Sequence, residues 1–386
     1  DWSSDVCSSD LKQTKVTKGP LKLVLCPDSQ LLQLNHNYNL SELYGDNYGY
    51  RSGLNLSMVN HLKSKVNSLK KIISLSKNDI VLDIGSNDGT LLKFYDPNEC
   101  TRIGIDPTGK KFEAYYDGIE LVPDFFSSKK FLDVLPNKKA KIITSISMLY
   151  DLESPISFIQ DIAKILDHEG IWHFEQSYMP TMLRMNLYDT ICHEHLEYYS
   201  LTVIKNTLRK CGLKIIDVSL NSINGGSFAV TACHIDSKLQ TNEVVISWML
   251  DNESRLELGS TKPYLDFAAR VFEHRKNMKQ LINDLNNDGK KVMGYGASTK
   301  GNVLLQFCNL TSDDISYIGE VNSDKFGSFT PGSLIPIISE AEVISMKPDY
   351  LLVLPWHFRD GIIKKQKDYL ASGGKFIFPM PEIEIF

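Results

Sequence analysis

Residues 79–92, DIVLDIGSNDGTLL, decide the fold of this chain. Ile80, Val81, Leu82 and Ile84 form a short apolar run, the pattern of a strand buried on both faces. Gly85 ends it, and residues 90–95 read as a helix. Strand, glycine loop and helix in that order bring backbone close to a ligand at the carboxyl edge of a parallel sheet. Asp106 ends the next expected strand, 23 residues after Asp83, where a carboxylate can accept hydrogen bonds from both hydroxyls of a ribose. Dinucleotides and S-adenosylmethionine both suit that pair of features. The dehydrogenase fingerprint Gly-x-Gly-x-x-Gly is broken, because Asn87 stands in the second glycine's place and only Gly85 and Gly89 align. Asp83 would repel a pyrophosphate but pair with an ammonium. Asp83, Gly85, Ser86, Asn87, Gly89 and Asp106 are therefore read as a set that binds S-adenosylmethionine.

Working outward, a helix-like stretch from about Val66 leads into the strand. Further strands are expected at 102–106, 142–148 and 171–175, with helical sequence between them, for example at 155–166. Such alternation predicts an α/β fold with a parallel, doubly wound sheet. "LKIIDVSL" and "GGSFAVTACHI" read as two antiparallel strands closing it. Residues 242–287 are mostly helical, with Phe267, Val271, Met278, Leu281, Ile282 and Leu285 marking a core face at near-3.6 spacing. A second α/β pattern starts at "KKVMGYGASTKGNVLLQF", continues through "DYLLVLPW" and ends at "GKFIFPM".

The opening residues 1–11, DWSSDVCSSDL, carry no apolar period and resemble one reading frame of a short-read sequencing adaptor. Setting them aside removes Asp1, Asp5 and Asp10 and moves the formal charge from −5 to −2. A nearly neutral, mixed surface gives no electrostatic reason to expect nucleic acid or an anionic membrane as partner. No apolar run approaches the roughly 18 residues that span a bilayer. The cysteines are scattered, without the spacing of a disulfide framework, which fits a reduced, cytoplasmic setting.

Two further stretches carry chemistry. Gly294-Tyr-Gly-Ala-Ser-Thr-Lys-Gly301 also lies between a strand and a helix, but Asn302 and Val303 stand where a P-loop needs Lys and Ser or Thr. Amides at a helix N-terminus, with Lys300 beside them, suit an anion such as a diphosphate, and a plain turn is the competing reading. "NLYDTICHEHLEYYS" allows three readings. It is a polar loop with backbone-bonded histidines, a metal site if His193, His195 and Glu197 share one face of a strand, or an acid–base group. Histidine, with an unperturbed pKa of about 6.5, can take an α-proton from beside a ketone at neutral pH.

Taken in order, "YGYRSG", "VLDIGSNDGTLL", "GIDPTG", "DTICHEHLEYYS", "NGGS", "GYGASTKGN", "PGSLIPI" and "LLVLPWHF" resemble the sugar C-methyltransferase family, over residues 21–386. The family methylates a carbon of nucleotide-linked deoxyketosugars with S-adenosylmethionine. The resemblance implies a class I, Rossmann-like methyltransferase sheet, a C-terminal α/β domain and an N-terminal zinc domain, truncated here. The expected division is a non-native tail at 1–11, an N-terminal remnant with a substrate loop at 12–60, the methyltransferase domain at 61–236, and the substrate-binding domain at 237–386. It also implies His195 as base with Glu194 close by, and Tyr48 or Tyr50 as donor to the enolate oxygen. Asn224, Ser298 and Lys300 are candidate contacts to the nucleotide-sugar, which would lie between the second and third domains.

Three positions depart from the family pattern. Of its two Cys-x-x-Cys zinc pairs, only Cys26 remains, in Cys26-Pro-Asp-Ser29, and one cysteine cannot hold zinc. No metal is expected. Cys192 replaces a tyrosine often found before His-Glu-His, and Tyr150-Asp151 stands where a histidine often follows the fourth strand. The alternatives to sugar C-methylation are an O- or N-methyltransferase of a small molecule and a catalytically inactive nucleotide-sugar-binding protein.

Overall fold

The computed structural model describes residues 19–38 and 51–386. Residues 1–11, Tyr48 and Tyr50 lie outside the described residues, so the expectations placed on them are not addressed by the fold. Leu23–Leu25 (β1) and Leu32–Leu34 (β2) pair as an antiparallel hairpin. Helix α1, Leu56–Ile72, follows, with the Asn55 side chain accepting from the amides of Ser57 and Met58. It begins ten residues before Val66, where the apolar pattern had suggested. Its start is set by that cap, while Leu56 stays exposed and only Leu62, Val66 and Leu69 are buried.

The glycine-loop strand is β3, Ile80–Ile84, buried along its whole length. Ile80, Leu82 and Ile84 enter one core while Val81 enters the other, beneath α1, as alternation on a doubly covered strand requires. The helix expected at 90–95 is only a 3-10 turn, Leu92–Phe94. The turn closes because Tyr95 is already extended (φ −91°, ψ 135°), and Pro97 keeps Asp96 from resuming a helix. Next come β4 (Thr101–Ile105), β5 (Glu120–Val122), α2 (Ser128–Val134), β6 (Ala140–Ile146), α3 (Pro155–Ile165) and β7 (Leu166–Ser177). A short helix, α4 (Met179–Arg184), leads through the His-Glu-His stretch to β8, Glu197–Tyr198, which pairs with β2. Helix α5 (Leu201–Lys210), β9 (Leu213–Asn221) and β10 (Ser227–His234) complete this half.

The resulting seven-stranded sheet has the order β5-β4-β3-β6-β7-β10-β9. Strand β10 runs antiparallel to both β7 and β9, while β3, β4, β5, β6 and β7 are mutually parallel. Chain order reverses on either side of β3, which opens a crevice beyond the carboxyl ends of β3 and β6. This is the class I methyltransferase sheet that the sequence led one to expect.

Two helices, α6 (Glu243–Arg255) and α7 (Lys262–Asn287), lead into a second sheet. Its elements are β11 (Val292–Tyr295), α8 (Thr299–Phe307), β12 (Ile318–Glu320), β13 (Ile337–Ser339), α9 (Glu340–Ser345), β14 (Tyr350–Val353), α10 (Arg359–Lys365), α11 (Lys367–Ala371), β15 (Lys375–Phe378) and β16 (Glu384–Ile385). The order β13-β12-β11-β14-β15-β16 is parallel except at β16. Here too the order reverses at the glycine-loop strand, β11, so each sheet has its crevice at its own glycine loop. Among the described residues no helix is long and apolar enough to cross a membrane.

Candidate active site

Both crevices open into one cavity of about 830 Å³, at the upper end of the range for small-molecule sites. Its lining includes Asp83, Gly85, Ser86, Asn87 and Asp106 from the first sheet, Glu194 and His195 from the His-Glu-His stretch, and Ser298 and Lys300 from the second sheet. Asn224, on the turn between β9 and β10, lines it as well.

At the first loop, Gly85 and Gly89 take positive φ angles of 71° and 70°, and Asn87 takes 53°. Asparagine tolerates that left-handed geometry better than most side chains, which is why it can stand where a dinucleotide site has glycine. The loop is tied down from several sides. Ser86 Oγ meets the Tyr116 hydroxyl at 2.8 Å, and that hydroxyl donates to the Asn87 carbonyl. The Asn87 side chain accepts from the Ser52 amide, and Asp88 accepts from the Gly53 amide and pairs with Arg51 at 3.4 Å. Asp106 Oδ2 accepts from the Asn87 amide at 2.7 Å, while Oδ1 accepts from the amide and hydroxyl of Thr108. Asp106 is thus a brace for the loop as well as a wall of the cavity. Its Oδ2 keeps acceptor capacity for a ribose hydroxyl, and Oδ1 is filled by Thr108.

Asp83 is buried and accepts from Thr144 Oγ1 at 2.6 Å. Burial pushes its carboxyl up to about 7, Thr144 opposes the rise, and Asp106 adds to it. No ion pair with a described residue offsets the lost hydration, so an ammonium there would replace what burial removed. A buried carboxylate with no paired cation among the described residues, an acceptor on Asp106 and approachable backbone at Gly85, Ser86 and Asn87 fit S-adenosylmethionine, while Gly89 does not line the cavity.

The His-Glu-His stretch is not a strand; β8 begins only at Glu197. His193 turns away from the cavity, its Nε2 bonded to the Gly19 carbonyl at 3.0 Å and its ring edge-on to Tyr38. Glu197 is buried against the Tyr199 hydroxyl, and burial raises its carboxyl to about 8. His193, His195 and Glu197 therefore do not form the strand-face metal site that the spacing allowed. A different trio does converge, since donor atoms of Cys192, Glu194 and His195 lie within 4.8 Å of one another. His195 Nδ1 donates to the Thr190 carbonyl at 2.7 Å, and its ring packs against Tyr150 at 4.3 Å. Its Nδ1 proton is thereby fixed, leaving Nε2 as the nitrogen able to accept one.

The second loop is built differently. Ser298 caps α8 by accepting from the Gly301 amide at 3.1 Å, so its hydroxyl is engaged with the helix. Lys300 Nζ donates to the Asn224 carbonyl, joining two of the predicted substrate contacts across the cavity. Burial holds the Lys300 ammonium below its ordinary value, while Asp189 and Cys192 act in the other direction. Asp189 and His357 were not singled out from the sequence, although both lie inside quoted motifs. Asp189 is 1% exposed and accepts from Trp356 Nε1 at 2.8 Å. Burial and the neighbouring Lys300 push His357 down to about 3, so its ring is neutral.

Two family models match the chain, and the C-terminal one takes in β10 of the first sheet as well as β11 to β15 of the second. Residues 222–381 match the family described as a C-methyltransferase C-terminal domain, and residues 58–218 match a methyltransferase domain family. The C-methyltransferase NovU of Streptomyces niveus is 30% identical over 365 residues, covering 94% of this chain and 86% of NovU. Among solved structures, an S-adenosylmethionine-dependent methyltransferase of Clostridium acetobutylicum is 13% identical, with a TM-score of 0.36 over 46% of this chain and 92% of its own. The N-methyltransferase NodS of Bradyrhizobium japonicum, solved with S-adenosyl-L-homocysteine, is 16% identical, with a TM-score of 0.35 over 47% and 89%.

Proposed function

Because this chain belongs to the C-methyltransferase family as an S-adenosylmethionine-dependent enzyme, we propose that it methylates a carbon of a nucleotide-linked keto-deoxysugar. The observation that carries the reading is His195, with Nδ1 held by the Thr190 carbonyl and the side chain on the wall shared by the cofactor loop and Lys300. Bound cofactor supplies an electrophilic methyl group. His195 Nε2 takes the proton from the carbon beside the ketone, and Tyr150 keeps the ring in place. Glu194 stands beside the base. Charge developing on the ketone oxygen needs a donor. Tyr48 or Tyr50 fills that role by family resemblance, with Lys300 as a cation on the same cavity. Asn224, Ser298 and Lys300 face the nucleotide-sugar. Such a product belongs to deoxysugar biosynthesis, and six described cysteines, all free, suit a reduced cytoplasmic setting.

The test is isotope exchange. A nucleotide-ketosugar held in heavy water with S-adenosylhomocysteine should exchange its α-hydrogen for deuterium. His195→Asn should lose exchange and methylation together, by about 10²–10⁴ in rate, while S-adenosylmethionine still binds. Methyl transfer without exchange would point to an oxygen or nitrogen acceptor. Exchange at the native rate in His195→Asn would move the base elsewhere.

A further inference from the structure

The convergence of Cys192, Glu194 and His195 is not required by proton abstraction, for which one histidine and one carboxylate suffice. A thiol, a carboxylate and an imidazole, with donor atoms within 4.8 Å of one another and a cavity in front, form the three-ligand arrangement that leaves a fourth zinc position open. The histidine is also set for ligation from behind. Metal-bound histidines generally donate their other ring N–H to a carbonyl or carboxylate, and His195 Nδ1 does so to Thr190 at 2.7 Å. Thiolate and carboxylate together would neutralise a divalent ion. Lys300 is the nearby opposing cation, and the buried Asp189 carboxylate offsets it.

We propose that Cys192, Glu194 and His195 form a site for a thiophilic divalent cation such as Zn²⁺, and that occupancy stops methyl transfer by occupying His195 Nε2. On binding, the metal–sulfur bond forms and the Cys192 thiol proton leaves to solvent. The inhibitory half rests on His195 being the base; the binding half does not.

Co²⁺ serves as an optical probe and Zn²⁺ as competitor, using the full chain. Two substitutions remove alternative ligands from the reference protein, and Cys192→Ser separates the site from the thiols that remain. His168→Ala removes an exposed alternative, where His168 pairs with Asp236 at 3.2 Å and stacks on His234 at 6.0 Å. Cys26→Ser removes the half-buried N-terminal thiol. The reference protein should show a thiolate-to-cobalt charge-transfer band that Zn²⁺ abolishes. Cys192→Ser should lose the band and weaken Zn²⁺ binding about a hundredfold. His195→Asn should weaken it similarly, with S-adenosylmethionine affinity kept in both as the check on folding. A band that survives Cys192→Ser, or no band in the reference protein, overturns the site. Zn²⁺ should also halt deuterium exchange in the reference protein while sparing Cys192→Ser. Exchange that continues with Zn²⁺ bound overturns the inhibitory half. A ketosugar that fails to exchange even without metal would instead sink the proposed function, and the cobalt band would still decide the site.

Discussion

The two glycine loops occupy equivalent places, each after the strand at which its sheet's order reverses, yet their charged surroundings differ. At the first, Asp106 at the end of the neighbouring β4 accepts from the Asn87 amide at 2.7 Å. At the second, Glu320 ends the neighbouring β12 and accepts from the Ala297 amide at 2.8 Å. An acid at the end of the adjacent strand is therefore first a brace for the loop, and its presence alone does not announce a ribose. The surroundings make the difference. Asp83 is buried with no ion pair to a described residue and with Asp106 adding negative charge, whereas Glu320 has Lys325 beside it and Lys300 stands on the helix that follows the second loop. The Asp83 carboxylate is left without a paired cation among the described residues, and the second loop carries a lysine. That contrast supports the proposal of cofactor at the first loop and substrate at the second.

Asp106→Ala gives the largest expected effect on cofactor binding, because it removes a brace and a ligand contact together. Affinity for S-adenosylmethionine should fall about tenfold to a hundredfold, from roughly 1.5–3 kcal/mol of charged hydrogen bonding. Glu320→Ala should leave that affinity within about twofold, as calorimetry on both variants would show. An equal loss in both would erase the distinction between the loops.

Next in size is the pH dependence from Asp83. With its carboxyl raised to about 7 in the fold, against about 4 in an unfolded chain, protonation stabilises the cofactor-free protein at low pH. That contribution is lost as pH rises through about 7. An ammonium that pairs with the ionised form should reverse the trend, so thermal stabilisation by S-adenosylmethionine should grow over the same window. Asp83→Asn should flatten it. A cofactor shift that shrinks with rising pH would contradict the pairing.

A smaller effect is expected at the seam between the sheets. Trp356→Phe removes the donor to the buried Asp189, at about 1–3 kcal/mol. Denaturant unfolding should show this loss with cofactor affinity nearly unchanged.

Much of this was legible in the sequence because it is local. Strand β3 announced itself through an unbroken apolar run, and both loops through glycine between strand and helix. The HEH triplet marked the cavity wall, and the family resemblance named His195, but the spacing alone did not say which histidine faces the cavity. The two turn to opposite surroundings through contacts with Gly19 and Thr190, and no periodicity in residues 188–196 predicts those. Asp106's role as brace was equally hidden, since it depends on the left-handed Asn87 presenting its amide. Farther still from view is Glu175, buried on β7 and held by His61, Lys65 and Asn221, none of them near it in sequence. Its carboxyl is pulled down to about 2 by His61 and Lys65 against the cost of burial.

The division of labour between the loops is tested most directly by calorimetry on Lys300→Met. S-adenosylmethionine should bind as tightly as to the native protein, while a nucleotide-ketosugar, titrated in the presence of S-adenosylhomocysteine, should bind about tenfold more weakly or worse. Loss of S-adenosylmethionine affinity with sugar binding intact would contradict the assignment of cofactor to the first loop and substrate to the second.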